Sequence, residues 1–258
     1  MAVLAGDELT VWDVTDGRPV TRITSGVDLH TMALDDRGTA ALVYPIEGEK
    51  PRLRIVDLAD GTVRTDMALP LRNVNLVQAP VWTEHAGRRV LVVNDDEGGF
   101  VLYDPDTGDQ LPVLFGEHRV EGFAPWFSAG VLAARRVGDR HLLATGSSLG
   151  SEVRVWDAGT GEPLARMSCA GLGVSALAFG DDDGRPVLAT ATRTYPRLQL
   201  WDAVTGTEWC KGVDMSQRVN PMEATALQVT RWRGKVAVLA VGNGWPPFLW
   251  AAGQDGQD

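Results

Sequence analysis

The sequence predicts an all-β protein assembled from one unit repeated along the chain, and three observations carry that expectation. A nine-residue phrase recurs five times: an alternating apolar strand, an aromatic or β-branched residue, Asp, and a short turn closing on Gly. Between its copies lie short runs rich in Val, Leu, Ala and Thr, bounded by Gly- and Asp-containing turns, which is the pattern of half-buried and fully buried strands. No segment sustains the 3.6-residue apolar period of an amphipathic helix.

The phrase occupies residues 9–17, 53–61, 100–108, 153–161 and 198–206, with Trp12-Asp13, Val56-Asp57, Tyr103-Asp104, Trp156-Asp157 and Trp201-Asp202 as its markers; a sixth copy ends at Trp250 without the Asp. Successive markers are 44, 47, 53, 45 and 49 residues apart. A period near 40–45 residues with loop insertions is that of four-stranded propeller blades. Each turn Gly is followed by a short strand, such as 19–23 or 163–167. A loop and an alternating strand follow, such as 174–179, and then a hairpin turn at Asp35 to Gly38, His85 to Arg88, Asp181 to Gly184 or Arg233-Gly234. A more continuously apolar strand comes next (90–93, 142–145, 187–190, 236–241) and leads through another turn back to the marker strand.

On these residues the chain resembles the WD-repeat family of β-propellers, and the resemblance covers nearly all of it. It implies an all-β propeller of about six visible blades with up to four antiparallel strands each, in a single domain over residues 1–258. If the marker closes the third strand of each blade, as in the family, the chain starts at a second strand and stops after a third. The expected count is three strands, four full blades, then three strands. Either the ring has two three-stranded blades or the chain is an excerpt of a longer propeller or multidomain protein; the abrupt start favours the excerpt. An open ring would leave unpaired strand edges and invite self-association. The resemblance gives the marker Trp to packing between blades, and Asp and Gly suit the tight turn that follows for local backbone reasons. Trp12, Asp13, Val56, Asp57, Tyr103, Asp104, Trp156, Asp157, Trp201, Asp202 and Trp250 are therefore read as architecture, and Trp82, Trp126 and Trp232 as packing residues near first strands. The family's His, Ser/Thr, Asp and Trp hydrogen-bonded set is mostly broken: Thr145, Ser147, Thr190 and Thr192 offer hydroxyls, but no blade carries all four residues.

Composition excludes several classes. The net charge is −10 and only three lysines occur, Lys50, Lys211 and Lys235, which argues against nucleic acid as the main partner. No apolar run reaches membrane-spanning length, and the first residues do not read as a secretory leader. Cys169 and Cys210 are too few for a disulfide framework or a zinc site and fit packing roles in a reducing, cytoplasmic compartment. The bias toward Ala, Gly, Val, Asp and Arg resembles proteins of high-GC bacteria.

Candidate chemistry is sparse. Asp181-Asp182-Asp183-Gly184 offers clustered carboxylates but is too short for a calcium loop and reads as a hairpin turn. The phrase from Trp201 to Trp209 resembles the tryptophan-docking motif of quinoprotein propellers, but its second Trp occurs once and its spacing is one residue short. His30, His85, His118 and His141 lie in separate repeats without metal-ligand spacing. No nucleophile motif or phosphate-cradling loop is present, so no catalytic residue, metal or cofactor is expected. The resemblance instead points to the rim loops, which in the family bind partner peptides. Tyr44, Lys50, Arg193, Tyr195, Arg197 and Trp245 fall in loops between second and third strands, with Glu47 beside them; Arg72, His118, Arg119 and Arg218 fall in loops between blades, with Asn73. Aromatic and Arg residues are enriched at binding hot spots. The expected function is a non-catalytic scaffold or sensor module that binds a protein partner or a missing part of its own polypeptide. The alternative is a propeller enzyme or small-ligand binder with its site at the channel mouth.

Overall fold

The computed structural model describes residues 2–13, 15–69, 71, 79–94, 99–115, 130–216, 224–242 and 245–252. The described residues are all-β and contain no helix long and apolar enough to cross a membrane. Their strands form six antiparallel sheets, each a meander of consecutive strands. The first holds β1 (Ala2–Ala5), β2 (Glu8–Trp12) and β3 (Pro19–Thr24). The second holds β4 (Thr31–Leu34), β5 (Thr39–Tyr44), β6 (Arg52–Asp57) and β7 (Val63–Ala68). The third holds β8 (Val81–His85), β9 (Arg88–Asn94), β10 (Phe100–Tyr103) and β11 (Gln110–Phe115). The fourth holds β12 (Val131–Val137), β13 (Arg140–Gly146), β14 (Glu152–Asp157) and β15 (Pro163–Ser168). The fifth holds β16 (Leu172–Asp182), β17 (Arg185–Thr194), β18 (Arg197–Asp202) and β19 (Glu208–Asp214). The sixth holds β20 (Ala224–Trp232), β21 (Lys235–Gly242) and β22 (Trp245–Ala251). The strand counts run three, four, four, four, four, three, as the phase of the repeat predicts.

The recurring Asp and Gly form one turn five times over. In each copy the Asp carbonyl accepts the Gly N–H, and the Asp N–H is bonded to the carbonyl one residue past the Gly: Asp13–Gly17, Asp57–Gly61, Asp104–Gly108, Asp157–Gly161 and Asp202–Gly206. The carboxylate accepts the N–H two residues on, from Thr15, Ala59, Asp106, Gly159 and Val204 at 2.7–3.0 Å. These bonds hold the Asp13 carboxyl below its usual range, with Thr15 the main cause, and Asp57 likewise through Ala59 and then Arg64. Burial pushes Asp202 up, and the Thr205 and Val204 amides outweigh it. Every one of the turn glycines has φ between 70° and 82°, where a Cβ is strained.

Two compact units divide the chain: Met1–Trp82 with Arg89–Glu117, and Thr83–Arg88 with His118–Asp258. In the first, Leu9, Ile23, Ala40, Leu42 and Val56 bury the first sheet against the second. Ala41, Val43, Leu53 and Ile55 join the second sheet to Leu91, Val93, Val101 and Tyr103. In the second unit, Val131, Leu142, Val153, Val174, Phe179, Leu188 and Trp201 share one core; Ala189, Leu200, Val229, Val236, Val238 and Trp250 share the next. Because successive strand residues face opposite sides, the central strands of a sheet packed on both faces read as continuous apolar runs. That is why β5, β9, β13 and β21 look alike in sequence.

Three of the four marker Trp residues are buried, Trp156, Trp201 and Trp250 at 8%, 6% and 5% exposed, while Trp12 is half-buried. Trp156 Nε1 donates to Thr145 Oγ1 at 3.2 Å and Trp201 Nε1 to Thr190 Oγ1 at 3.0 Å, so two of the expected hydroxyls receive the indole N–H. Trp82, half-buried, donates to the Ala33 carbonyl at 3.2 Å under the Arg89 guanidinium. Trp232 departs from its expected packing role. It is 48% exposed because it is the last residue of β20, beside the Arg233-Gly234 turn and past the buried part of the hairpin. Trp126 lies outside the described residues.

Candidate functional site

In the second unit three loops converge: Ser147–Ser151 between β13 and β14, Cys169–Gly171 between β15 and β16, and Tyr195-Pro196 between β17 and β18. Ser147 Oγ accepts the N–H groups of Leu149 and Gly150 and closes the first loop. That loop is tied to the second by Gly173 N–H to the Gly150 carbonyl, Val174 N–H to the Ser147 carbonyl and Cys169 N–H to the Ser151 carbonyl. Gln199 on β18 accepts the Ala170 N–H at 2.7 Å and donates to Glu208 at 3.0 Å.

Two glycines make this convergence possible. A Cβ on Gly171 would stand 2.5 Å from Thr192 Oγ1, 2.8 Å from the Thr194 carbonyl and 2.9 Å from the Tyr195 carbonyl. A Cβ on Gly173, whose φ is +72°, would stand 2.8 Å from the Ser148 carbonyl and 3.4 Å from the Arg193 side chain. The missing side chains let the third loop lie on the second.

The third loop carries Tyr195, which is 76% exposed and has φ 57°, a left-handed backbone that costs a non-glycine residue energy. Buried Thr192 holds it there: its hydroxyl donates to the Tyr195 carbonyl at 3.1 Å and accepts the Arg197 N–H at 3.2 Å. Leu172, 52% exposed, pairs across the β16–β17 ladder with Thr194, next to Tyr195. Arg193, placed in a loop by the sequence, is exposed near the end of β17, two residues before Tyr195. Arg197 is partly buried, pairs with Asp214 in the β18–β19 register, and its buried Nε has no hydrogen-bond partner among the described residues. The Asp214 carboxyl lies below its usual range, chiefly through Ser216, with the Arg197 charge contributing. An apolar and aromatic surface flanked by guanidinium groups is thus presented on a rigid base.

Arg193, Tyr195 and Arg197 all fall in the β17–β18 hairpin. Tyr44 and Lys50 lie in the first unit. Tyr44 is 3% exposed and belongs to a charge cluster on β6 and β7. Its hydroxyl donates to Asp66 at 2.7 Å, and Arg54 stacks over its ring at 4.9 Å. Lys50 and Glu47 are exposed in the β5–β6 loop, and Trp245 is the first residue of β22. Arg72, Asn73, His118, Arg119 and Arg218 lie outside the described residues. Residue-by-residue reading passed over Gly171 and Gly173 and took Thr192 only as a strand hydroxyl; the alternation of Gly171, Leu172 and Gly173 where the loop enters β16 was the available signal.

Burial pushes the Cys169 thiol up to about 11, against a hydrogen bond to Thr190 Oγ1, so it stays protonated at neutral pH. Among the described residues no three His, Cys, Asp or Glu side chains gather as a metal site.

No protein-family model matches the chain, and no curated protein matches it. Among solved structures, the crystal structure of the computationally designed Ika8 protein is similar. The alignment covers all of this chain and 69% of that one, with a TM-score of 0.61 and 18% identity. At that identity the likeness concerns the fold alone.

Proposed function

We propose that the six sheets are blades of a WD-repeat-type β-propeller and that the chain is a non-catalytic module binding a protein partner through its rim loops. One observation carries the reading: Tyr195 is held exposed in a left-handed conformation by Thr192, above two glycines that exist to seat its loop. The same left-handed backbone serves the hairpin turns at Ala86, Asp183 and Arg233; at residue 195 it carries an exposed aromatic ring, and such conformations cluster at ligand-binding positions. Tyr and Arg are also the residue types that dominate interface energetics.

The test is selection of a random peptide library on the full chain and on a variant carrying Arg193→Ala with Tyr195→Ala. The wild type should enrich a peptide family that the variant, unchanged in melting temperature, binds at least about tenfold more weakly. Equal binding by the two proteins overturns the assignment.

A further inference from the structure

The β6–β7 charge cluster of the first unit carries more cations than anions. Asp66 on β7 takes Arg52 Nε on Oδ1 at 2.6 Å, and the Arg54 guanidinium and the Tyr44 hydroxyl on Oδ2 at 3.0 and 2.7 Å. Its carbonyl takes Arg52 Nη2 at 3.0 Å. Burial would raise the Asp66 pKa, but these donors outweigh it and keep the group ionised. Among the described residues Arg52 and Arg54 meet no other carboxylate, so two guanidinium groups share one anion.

Position makes this excess matter. The Arg52 and Arg54 side chains are 30% and 24% exposed, so water screens them incompletely. The matching cluster of the fourth sheet also sets two arginines, Arg154 and Arg166, on one carboxylate, Glu152. There the Arg166 side chain is 73% exposed and water solvates the extra charge. The first-unit cluster opens instead on a depression of about 700 Å³ lined by Gly48, Glu49, Lys50, Arg52 and Ala68. Among the described residues Lys50 has no carboxylate partner. Arg52 is fixed by Asp66 before any ligand arrives, which lowers the ordering cost of binding.

We propose that this depression is an oxyanion site for a small molecule bearing carboxylate or phosphate groups. Arg52 is the pre-positioned charge partner, exposed Lys50 the second cation, and Glu49, which lines the depression with them, sets the tolerated ligand charge. The site is independent of the Tyr195 surface.

Backbone amide shifts of the full chain report on it, with citrate and inorganic pyrophosphate as separate probes in about 150 mM salt, where exposed charges are largely screened. Saturating shifts confined to residues 48–50, 52 and 68 are expected from at least one probe, Pro51 having no amide N–H; the responding arm distinguishes carboxylate from phosphate. Lys50→Gln, on an exposed side chain, should weaken that binding several-fold, and Glu49→Gln should tighten it. Non-saturating shifts with both probes, or binding indifferent to both substitutions, overturns the proposal.

Discussion

Tyr195 provides a test in which the sign of an effect, rather than its size, is decisive. Tyr195→Ala and Tyr195→Gly remove the same side chain, so whatever contacts the ring makes cancel between them. What remains is the backbone. At φ 57° an alanine Cβ meets the following carbonyl oxygen, a cost of about 1–2 kcal/mol that glycine does not incur. Glycine gives back roughly 0.5–1 kcal/mol through its larger unfolded-state entropy. The glycine variant should therefore be the more stable by about 0.5–1 kcal/mol, the reverse of their order in ordinary strand. Urea melts of the two variants under identical conditions measure the difference directly. Should alanine equal or exceed glycine, residue 195 does not adopt a left-handed backbone in solution, and the strain argument for the binding surface falls with it.

Three further outcomes follow from packing and charge. Gly180→Ala places a methyl on Val229 Cγ1 and Cβ, between the fifth and sixth sheets, and should cost about 1–3 kcal/mol in a chemical melt; an unchanged midpoint refutes the close packing. Asp66 has a depressed folded pKa, so its contribution is present above the unfolded value near about pH 4 and lost as pH falls through the folded one. Stability measured from about pH 7 to pH 3 should fall on acidification more steeply for the wild type than for Asp66→Asn, and parallel curves refute the ion cluster. Among the described residues β1 in the first sheet and β22 in the last each pair with one strand only. Pro246 and Pro247 lack the N–H that an added strand needs, so β22 is blunted and β1 is the stickier edge. Light scattering should show concentration-dependent association, and a monomer at every concentration refutes an available edge.

The sequence determined the repeat, and with it the all-β class, the number of sheets and the strand count in each. Those properties are local: Asp and Gly prefer a particular turn whatever surrounds them, and a marker every 44–53 residues leaves room for one four-stranded meander. Its phase was enough to leave the first and last sheets at three strands. The packing of Trp156 and Trp201 was legible for the same reason, but the exposure of Trp232 was not, since a strand's last residue is buried or free according to what lies beyond it. Tertiary structure alone decided which loop residues meet. Arg193, Tyr195 and Arg197 are close in sequence, whereas the glycine that seats the Tyr195 turn, Gly171, is more than twenty residues away in the connection into β16 of the same sheet. Tyr44, read from sequence as a loop aromatic, is an internal ligand of Asp66, because strand register sets Arg54 opposite Asp66 and Tyr44 opposite Arg52, so its hydroxyl meets both Asp66 and Arg54. Register and loop convergence depend on contacts distant in the chain, and a repeat signal carries no information about residues it does not repeat.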